Sequence, residues 1–340
     1  MSTERNQIMW KFQDNKLSEH VTQITDPTGV SCFLVTGGER AMLIDTCVGF
    51  VGLRKKVEEL TSLPYEVLLT HGHGDHAGGA AEFMTACGGQ DDAPGTCAHT
   101  VYLHPADLPL LGVHGLELRI DYAAGMLGPA VKLAETDFVP EPEPGFAELS
   151  DGQVFDLGGI TLEIIHVPGH TKGSCCVLMR EKRMILYGDA CNGNTLVMDQ
   201  ASTGISTYRE SLLRLKAFDD AYDTVCYSHG PAIGPRRSLD DNIELCGRIL
   251  AGTDDAVPCE FMGRAAIRAA ATKGDLLLRP ELRTCCAAAG EHDSGGSLGF
   301  AERICMPELQ DTGHEESSIL QFERVDGKYG NIVYSELTKR

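Results

Sequence analysis

Three histidines and one aspartate lie within six consecutive positions of this chain, at His71, His73, Asp75 and His76. The apolar run at residues 66–69 before them predicts a buried strand, and residues 77–84 after them predict a helix. Gly72 and Gly74 are expected to let the backbone turn sharply between these elements. Four such side chains are costly to desolvate unless they share a partner, and imidazole and carboxylate are common ligands of zinc and iron. The stretch therefore predicts a metal-binding loop in an α/β fold.

The rest of the chain supplies three more side chains of the same kind. Predicted strands at residues 162–167, 184–187 and 224–227 are each followed by a His or an Asp beside a glycine. These side chains are His170, Asp189 and His229. An α/β scaffold presents side chains from the carboxyl ends of its strands to a shared cleft. All seven residues are therefore candidate metal ligands.

Four motifs, in this order, resemble the metallo-β-lactamase-fold superfamily: HxHxDH at 71–76, PGHT at 168–171, GDA at 188–190 and SHG at 228–230. The resemblance covers roughly residues 20–235. It implies an α/β fold, a four-layer αββα sandwich with metals along one edge of its two sheets. One metal would be held by His71, His73 and His170. The second would be held by Asp75, His76 and His229, with Asp189 bridging the two.

No ligand position departs from this dinuclear pattern. Two of the positions indicate to which branch of the superfamily the chain is similar. The flavodiiron branch carries an acidic residue where this chain has His73, which argues against an electron-transfer diiron protein. Some lactamase branches place a cysteine thiolate in the second metal site, where this chain has Asp189, so this position argues against those branches. Cys191 could still offer a thiolate, although a small buried thiol is the commoner use of such a residue.

The ligand count predicts a catalytic centre. Structural zinc is usually closed by four ligands, whereas three ligands per ion and a bridge leave room for water or substrate. Two zinc ions would share a hydroxide that attacks a carbonyl, and iron or manganese could replace the zinc. Asp75 is the predicted catalytic residue, because it would orient the hydroxide and carry its proton.

The predicted function is a hydrolase with two Zn²⁺ ions that cleaves an ester, thioester, lactone or lactam of a small metabolite. The ligand set resembles those of hydroxyacylglutathione hydrolases and of lactonases. The lactonase branch often places a tyrosine after the bridging aspartate, where this chain has Asn192 and Asn194. These amides could donate to an oxyanion, although capping of a loop is their commoner use. The alternative is a mononuclear iron dioxygenase of sulfur compounds such as persulfides, which would leave several of the seven ligands spare.

Composition limits the partners. The net charge of −20 argues against nucleic acid, because binding to a phosphate backbone depends on clustered lysine and arginine. The first residues lack the apolar core of a signal peptide, and no apolar run has the length of a membrane span. Thirteen cysteines without a regular framework favour a reducing cytoplasm. We therefore expect a cytoplasmic protein with a small-molecule substrate, no nucleic-acid or membrane partner, and a capacity to form a homodimer.

The predicted organisation has a catalytic domain at residues 1–237 and an inserted helical lid at 106–148. The resemblance implies that Asp45, after an early hairpin, supports the metal loop from behind. Within the lid, Tyr122 and Met126 are candidate apolar contacts for the substrate.

Residues 238–340 are predicted to form a C-terminal helical extension that ends in a β-hairpin. Helices are expected at residues 238–250 and at the alanine-rich residues 260–272. The hairpin is expected to join residues 319–325 to residues 331–334.

Overall fold

The computed structural model of the protein describes residues 10–84, 99–261, 263–271, 324 and 326–340. By contacts within the chain it divides into two compact units, Met1–Leu162 (unit 1) and Glu163–Arg340 (unit 2). The division falls inside one strand, Thr161–His166. The domain boundary expected after residue 237 stays a prediction.

Seven described strands of unit 1 form one mixed sheet whose order follows the chain. They are β1 (Gln13–Lys16), β2 (Val21–Thr25), β3 (Ser31–Thr36), β4 (Ala41–Ile44), β5 (Tyr65–Leu68), β6 (Val101–Leu103) and β7 (Ala147–Glu148). The pairs from β1 to β4 are antiparallel, whereas β4, β5, β6 and β7 are parallel neighbours. Strand β4 is buried along its whole length, as expected for an apolar strand inside a sheet.

The described part of unit 1 has five α-helices, two of which replace the single helix predicted at residues 77–84. They are α1 (Leu53–Leu60), α2 (Gly74–Ala77), α3 (Ala80–Met84), α4 (Leu108–Leu111) and α5 (Leu116–Leu127). Helix α1 buries Leu53 and Val57, which are four residues apart and so share one face. These two side chains join the core that β3 to β6 form with Phe83 of α3.

An eighth strand, β8 (Val154–Asp156), adjoins β9 (Thr161–His166), the strand in which the division falls. Unit 2 continues with β10 (Cys175–Met179), β11 (Met184–Leu186), β12 (Asn194–Val197), β13 (Thr224–Cys226), β14 (Ile233–Gly234), β15 (Val257–Phe261), β16 (Arg264–Arg268) and β17 (Asn331–Tyr334). One sheet runs β14-β13-β11-β10-β9-β8, and a second runs β12-β17-β16-β15. The parallel pair β11–β13 places the ends of both strands on one edge of the first sheet.

Two long helices cover the core of unit 2. They are α6 (Ile205–Lys216) and α7 (Ser238–Ala251), and they contact each other. Helix α6 buries Ile205, Tyr208 and Leu212 at helical spacing against the fully buried strand β10. Buried thiols belong to this core, and no disulfide joins the described cysteines.

The C-terminal prediction needs one correction. The described part of residues 260–272 is not a helix, because β16 (Arg264–Arg268) pairs antiparallel with β15 and with β17. Alanine favours helices only weakly, and pairing with two neighbouring strands overrides that preference. The helix expected at 238–250 is confirmed as α7, so the extension is only partly helical.

The expected C-terminal hairpin is only partly tested. Apart from Arg324, its first strand lies outside the described residues. Its second strand is present as β17, which pairs parallel with β12 and antiparallel with β16. Within the described ranges, no helix combines the length and apolar character that a membrane crossing requires.

Candidate metal-binding residues

We call residues 70–79 the histidine loop. It follows β5, a strand with parallel neighbours on both sides, and it contains the short helix α2. His71 and His76 are buried, with 1% and 0% of their surface exposed, whereas His73 and Asp75 are half-buried. The carboxyl edge of the parallel strands therefore carries this loop, as the sequence predicts.

The four polar side chains of the loop converge. The ring centroids of His71 and His76 lie 4.0 Å apart, and those of His71 and His73 lie 4.9 Å apart. Asp75 Oδ2 lies 3.9 Å from His76 Nε2. Imidazole and carboxylate groups at this spacing have the donor chemistry of a zinc or iron site.

Asp45 supports the histidine loop from behind, as the resemblance implied. Its Oδ1 accepts the backbone N–H of Thr70 at 2.7 Å, and its Oδ2 accepts from the Thr70 hydroxyl and from His76 Nδ1, both at 2.9 Å. Because His76 donates from Nδ1, its lone pair is on Nε2, the form that a metal needs. The Thr70 hydroxyl donates to Asp45, so His71 Nδ1, at 3.1 Å, donates to that hydroxyl and carries its lone pair on Nε2 as well.

Close packing requires glycine at positions 72 and 74. Neither residue has a positive φ, so the backbone conformation alone does not require glycine there. A Cβ on Gly72 would lie 2.8 Å from the carbonyl oxygen of Asp107, and one on Gly74 would lie 2.9 Å from Cγ of Arg119. Both positions need glycine because residues 105–127 pack directly against the loop.

Three side chains of residues 105–127 contact the histidine loop, and sequence reasoning missed all of them. Asp107 accepts the backbone N–H of Gly72, the ring of His114 lies 4.6 Å from that of His73, and Arg119 donates to the carbonyl of Gly78. No motif spacing links these residues to the loop. The one available signal in the sequence was the alternation of Gly72 and Gly74 with polar residues in the histidine loop.

In unit 2, the three predicted ligands each follow a different strand. His170 follows β9, Asp189 follows β11 and His229 follows β13. Asp189 Oδ2 lies 3.7 Å from His170 Nε2 and 3.3 Å from His229 Nε2. A single carboxylate oxygen of Asp189 therefore lies close to both imidazoles.

The backbone of β12 orients His170. His170 Nδ1 donates to the carbonyl oxygen of Leu196 at 2.7 Å, which leaves the lone pair of the ring on Nε2. Strand β12 is in turn paired along its length with β17. Thr338 Oγ1 donates to the carbonyl of Val197, and Ser335 Oγ donates to that of Met198.

Tyr208 links the loops that carry His170 and Asp189. A Cβ on Gly169 would lie 2.1 Å from the ring of Tyr208, so only glycine allows this contact. The Tyr208 hydroxyl donates to the carbonyl of Ala190 at 2.8 Å. The residues directly before His170 and directly after Asp189 thus touch the same buried side chain.

The remaining sequence candidates differ in their surroundings. Asn192 Oδ1 accepts the backbone N–H of Asn194 at 2.9 Å, which caps its own loop. Burial raises the pKa of the Cys191 thiol to about 12, which disfavours a thiolate. Tyr122 packs against an apolar cluster of unit 1, and Met126 is 47% exposed. A role in substrate binding for Asn192, Asn194, Tyr122 and Met126 stays a prediction.

The donor sets of the two units each fit a divalent metal. Two ligand atoms on one tetrahedral zinc lie roughly 3.4 Å apart, given bonds of about 2.1 Å. The measured separations around Asp189 bracket that distance, and the separation of Asp75 from His76 is slightly longer. The second ring nitrogen of His71, His76 and His170 is already engaged, as in known metal sites.

The sequence profile of the metallo-β-lactamase superfamily matches residues 25–229. The chain therefore belongs to the metallo-β-lactamase superfamily. An uncharacterised protein of Mycobacterium tuberculosis (strain ATCC 25618 / H37Rv) is 35% identical over 223 residues, which cover 62% of this chain and 90% of the relative.

Two relatives are named as thioesterases. An atrochrysone carboxyl ACP thioesterase of Claviceps purpurea (strain 20.1) is 25% identical over 209 residues, covering 60% of this chain and 52% of the relative. The human acyl-coenzyme A thioesterase MBLAC2 is 24% identical over 208 residues, covering 54% of this chain and 66% of the relative. This chain thus matches only part of either protein.

Among solved structures, a metallo-β-lactamase from Pontibacter korlensis aligns with a TM-score of 0.50 and 18% identity. The alignment covers 70% of this chain and 99% of that one. At this identity the likeness concerns the fold alone. The α/β metallo-β-lactamase fold predicted from the four motifs is confirmed.

Proposed function

We propose that this chain is a dinuclear metal-dependent hydrolase whose substrates are thioesters of small molecules. The observation that carries the proposal is the position of Asp189, whose Oδ2 lies 3.7 Å and 3.3 Å from the Nε2 atoms of His170 and His229. The family pattern assigns these two imidazoles to different metals. A carboxylate oxygen close to both is the arrangement that two neighbouring metals require of a bridging ligand.

The proposed ligands fall into two sets of three and a bridge. His71, His73 and His170 would hold one metal, Asp75, His76 and His229 would hold the other, and Asp189 would bridge them. Zinc is the metal that these nitrogen and oxygen donors favour, although iron and manganese accept the same ligands. The engaged second nitrogens of His71, His76 and His170 support this assignment, because they orient each Nε2 lone pair in advance.

When bound, two such metals lower the pKa of water and polarise a carbonyl group. Asp75 would orient the attacking water and take its proton on a carboxylate oxygen. Its side chain is about one-fifth exposed, so it can pass that proton to solvent. Asn192 and Asn194 are the proposed donors near the developing oxyanion, and Tyr122 and Met126 are the proposed apolar contacts.

The names of two relatives support thioesters over the other predicted substrates. Both the Claviceps purpurea protein and the human protein are called thioesterases, one for an acyl carrier protein and one for acyl-coenzyme A. Superfamily membership and these relatives together support a metal-dependent hydrolase. Lactones, lactams and oxygen esters share the same carbonyl chemistry and serve as comparison substrates.

The proposal is tested by metal analysis and a thiol-release assay on the same preparation. Elemental analysis of the full chain, purified without added metal, should give about two zinc ions per chain. Acyl-coenzyme A should release thiol faster than a lactone or a lactam opens, and chelation should stop the release. About one iron per chain, with oxygen uptake on a persulfide, would instead identify the alternative dioxygenase.

A further inference from the structure

The inserted residues 105–127 approach the histidine loop at three points along its length. At the first point, the buried carboxylate of Asp107 accepts the backbone N–H of Gly72 at 3.0 Å. This bond lies between two proposed ligands in the sequence, His71 and His73. A backbone amide held by a carboxylate cannot rotate without losing a charge-assisted hydrogen bond.

At the second point, the ring of His114 packs on the ring of His73. Their centroids lie 4.6 Å apart and their planes differ by 31°. The backbone of His114 donates to the carbonyl of Leu110, which places the ring at the end of α4. His73 therefore has one face of its imidazole covered by a side chain of the inserted segment.

At the third point, Arg119 of α5 binds the end of the loop. Its side chain is 3% exposed, and its guanidinium donates to the carbonyls of Gly78, Val48 and Val139 at 2.7, 3.2 and 2.8 Å. A buried charge is tolerated only where hydrogen bonds of this kind surround it. Separation of α5 from the loop would break the bond to Gly78, while the bonds to Val48 and Val139 tie α5 to other parts of unit 1.

Apolar packing also anchors the same helix. Ala123 of α5 is buried in a cluster with Val48, Phe50 and Phe138, and Ile120 packs against it. Glu141 Oε1 accepts the backbone N–H of Leu116 and so caps the start of α5. The segment is therefore tied to unit 1 by polar and apolar contacts along its length.

We propose that residues 105–127 form a fixed clamp on the histidine loop, with Asp107, His114 and Arg119 as positioning residues for the proposed metal ligands. The inference rests on the proposed function, because it assigns the loop to metal binding. It goes further by giving the inserted segment a role in holding the loop before any metal arrives. The close approach explains why positions 72 and 74 are glycines.

The test combines hydrogen exchange on the metal-free full chain with cobalt titration. In the metal-free chain, Asp107→Ala should raise amide exchange of residues 70–79 at least tenfold, and Asp107→Asn should restore most of the protection through its amide oxygen.

His114→Ala should weaken cobalt binding and shift the visible cobalt spectrum, whereas His114→Phe should restore both through ring packing. Arg119→Met should act like Asp107→Ala, and Arg119→Lys is the milder variant should the first not fold. Glu117→Gln, an exposed change on α5, is the matched control and should change neither measurement.

Each outcome decides one claim. Wild-type exchange and an unchanged cobalt spectrum in the Asp107, His114 and Arg119 variants would overturn the clamp while the proposed function stands. A chain that binds no metal would overturn the proposed function, and exchange of residues 70–79 would still decide the clamp. Failure of His114→Phe to rescue His114→Ala would show that His114 acts through its nitrogens rather than by packing.

Discussion

The four proposed ligands of unit 1 lie in six consecutive residues, whereas the three of unit 2 each follow a different strand. In unit 1, the course of one loop therefore brings the ligands together. In unit 2, the pairing of β9, β10, β11 and β13 brings them together. Ligands of the same chemical kind can thus be brought together either by one short loop or by the pairing of several strands that lie far apart in the sequence.

The supporting contacts differ in the same way. In unit 1, the carboxylate of Asp45 orients His76 directly and His71 through Thr70. In unit 2, the main-chain carbonyl of Leu196 orients His170. A substitution can remove the first support outright, but the second can be weakened only through the strands that hold β12 in place.

Loss of the bridging carboxylate should have the largest effect. Asp189→Asn keeps the size of the side chain but removes its charge, so it should lower hydrolysis by about a thousandfold or more. It should also lower the metal content of the purified chain. Steady-state kinetics and elemental analysis check both expectations. Asp220→Asn, an exposed change in the same unit, should leave both at the wild-type level; equal losses in the two variants would contradict the role of Asp189.

Asp45→Asn tests the carboxylate support of unit 1. Asp45 has a φ of +66°, which asparagine tolerates, so the fold should be retained. An asparagine oxygen cannot accept all three bonds that Asp45 receives, and metal affinity should fall about 10- to 100-fold. Competition with a chelator measures that affinity, with Asp121→Asn as the exposed control. An unchanged affinity would show that the loop holds its ligands without Asp45.

The thiols in the core of unit 2 should make its stability depend on pH. Burial raises the pKa of Cys226 from 9.0 to about 12. The unfolded thiol therefore ionises above pH 9 while the folded one keeps its proton, so stability is full below pH 9 and falls as the pH rises towards 12. The expected loss is about 1.4 kcal/mol per pH unit from this thiol. Urea unfolding of Cys226→Ala between pH 8 and pH 11 should give an unfolding free energy that falls less steeply with pH than that of the wild type.

The half-buried Cys259 supplies the control for that measurement. Cys259→Ala should keep the wild-type slope of unfolding free energy against pH. A slope that is the same in wild type and in Cys226→Ala would mean that Cys226 ionises equally in the folded and unfolded chains.

Thr338→Val should have the smallest effect, because it weakens the support of His170 indirectly. The variant removes the hydroxyl that donates to the carbonyl of Val197, which should cost about 1 kcal/mol of unfolding free energy. Metal affinity should fall only a few-fold, which chelator competition can resolve. Leu337→Ala, a change at a side chain that is 67% exposed, is the control. If Thr338→Val lowered metal affinity more than Asp45→Asn does, the support in unit 2 would be the more easily removed of the two.

The sequence predicts the parts of the fold that depend on short stretches of chain. Strand β5, the helices that follow it and the loop between them are all encoded within residues 65–84. The four motifs contain unusual residue types at fixed spacing, so they identify the superfamily. The supporting role of Asp45 could be anticipated only through the resemblance to the superfamily, which implies an acidic residue at that position.

Contacts between distant residues escape such reasoning. Arg119 and Gly78 are 41 positions apart, and Asp107 and Gly72 are 35 positions apart, without any repeating pattern that connects them. The alanine-rich composition of β16 favours a helix, but its partners β15 and β17 decide its conformation. The reason for Gly72 is likewise visible only once Asp107 is seen beside it.

The pairing of β12 with β17 has a consequence for the order of folding. Val197 pairs with Tyr334, which lies far later in the chain, so this pairing closes a very long loop, and such contacts form slowly. The histidine loop and its support from Asp45 need only residues that leave the ribosome early. We therefore expect the ligands of unit 1 to be oriented first. His170 should reach its final orientation only after β17 has been synthesised and has joined β12.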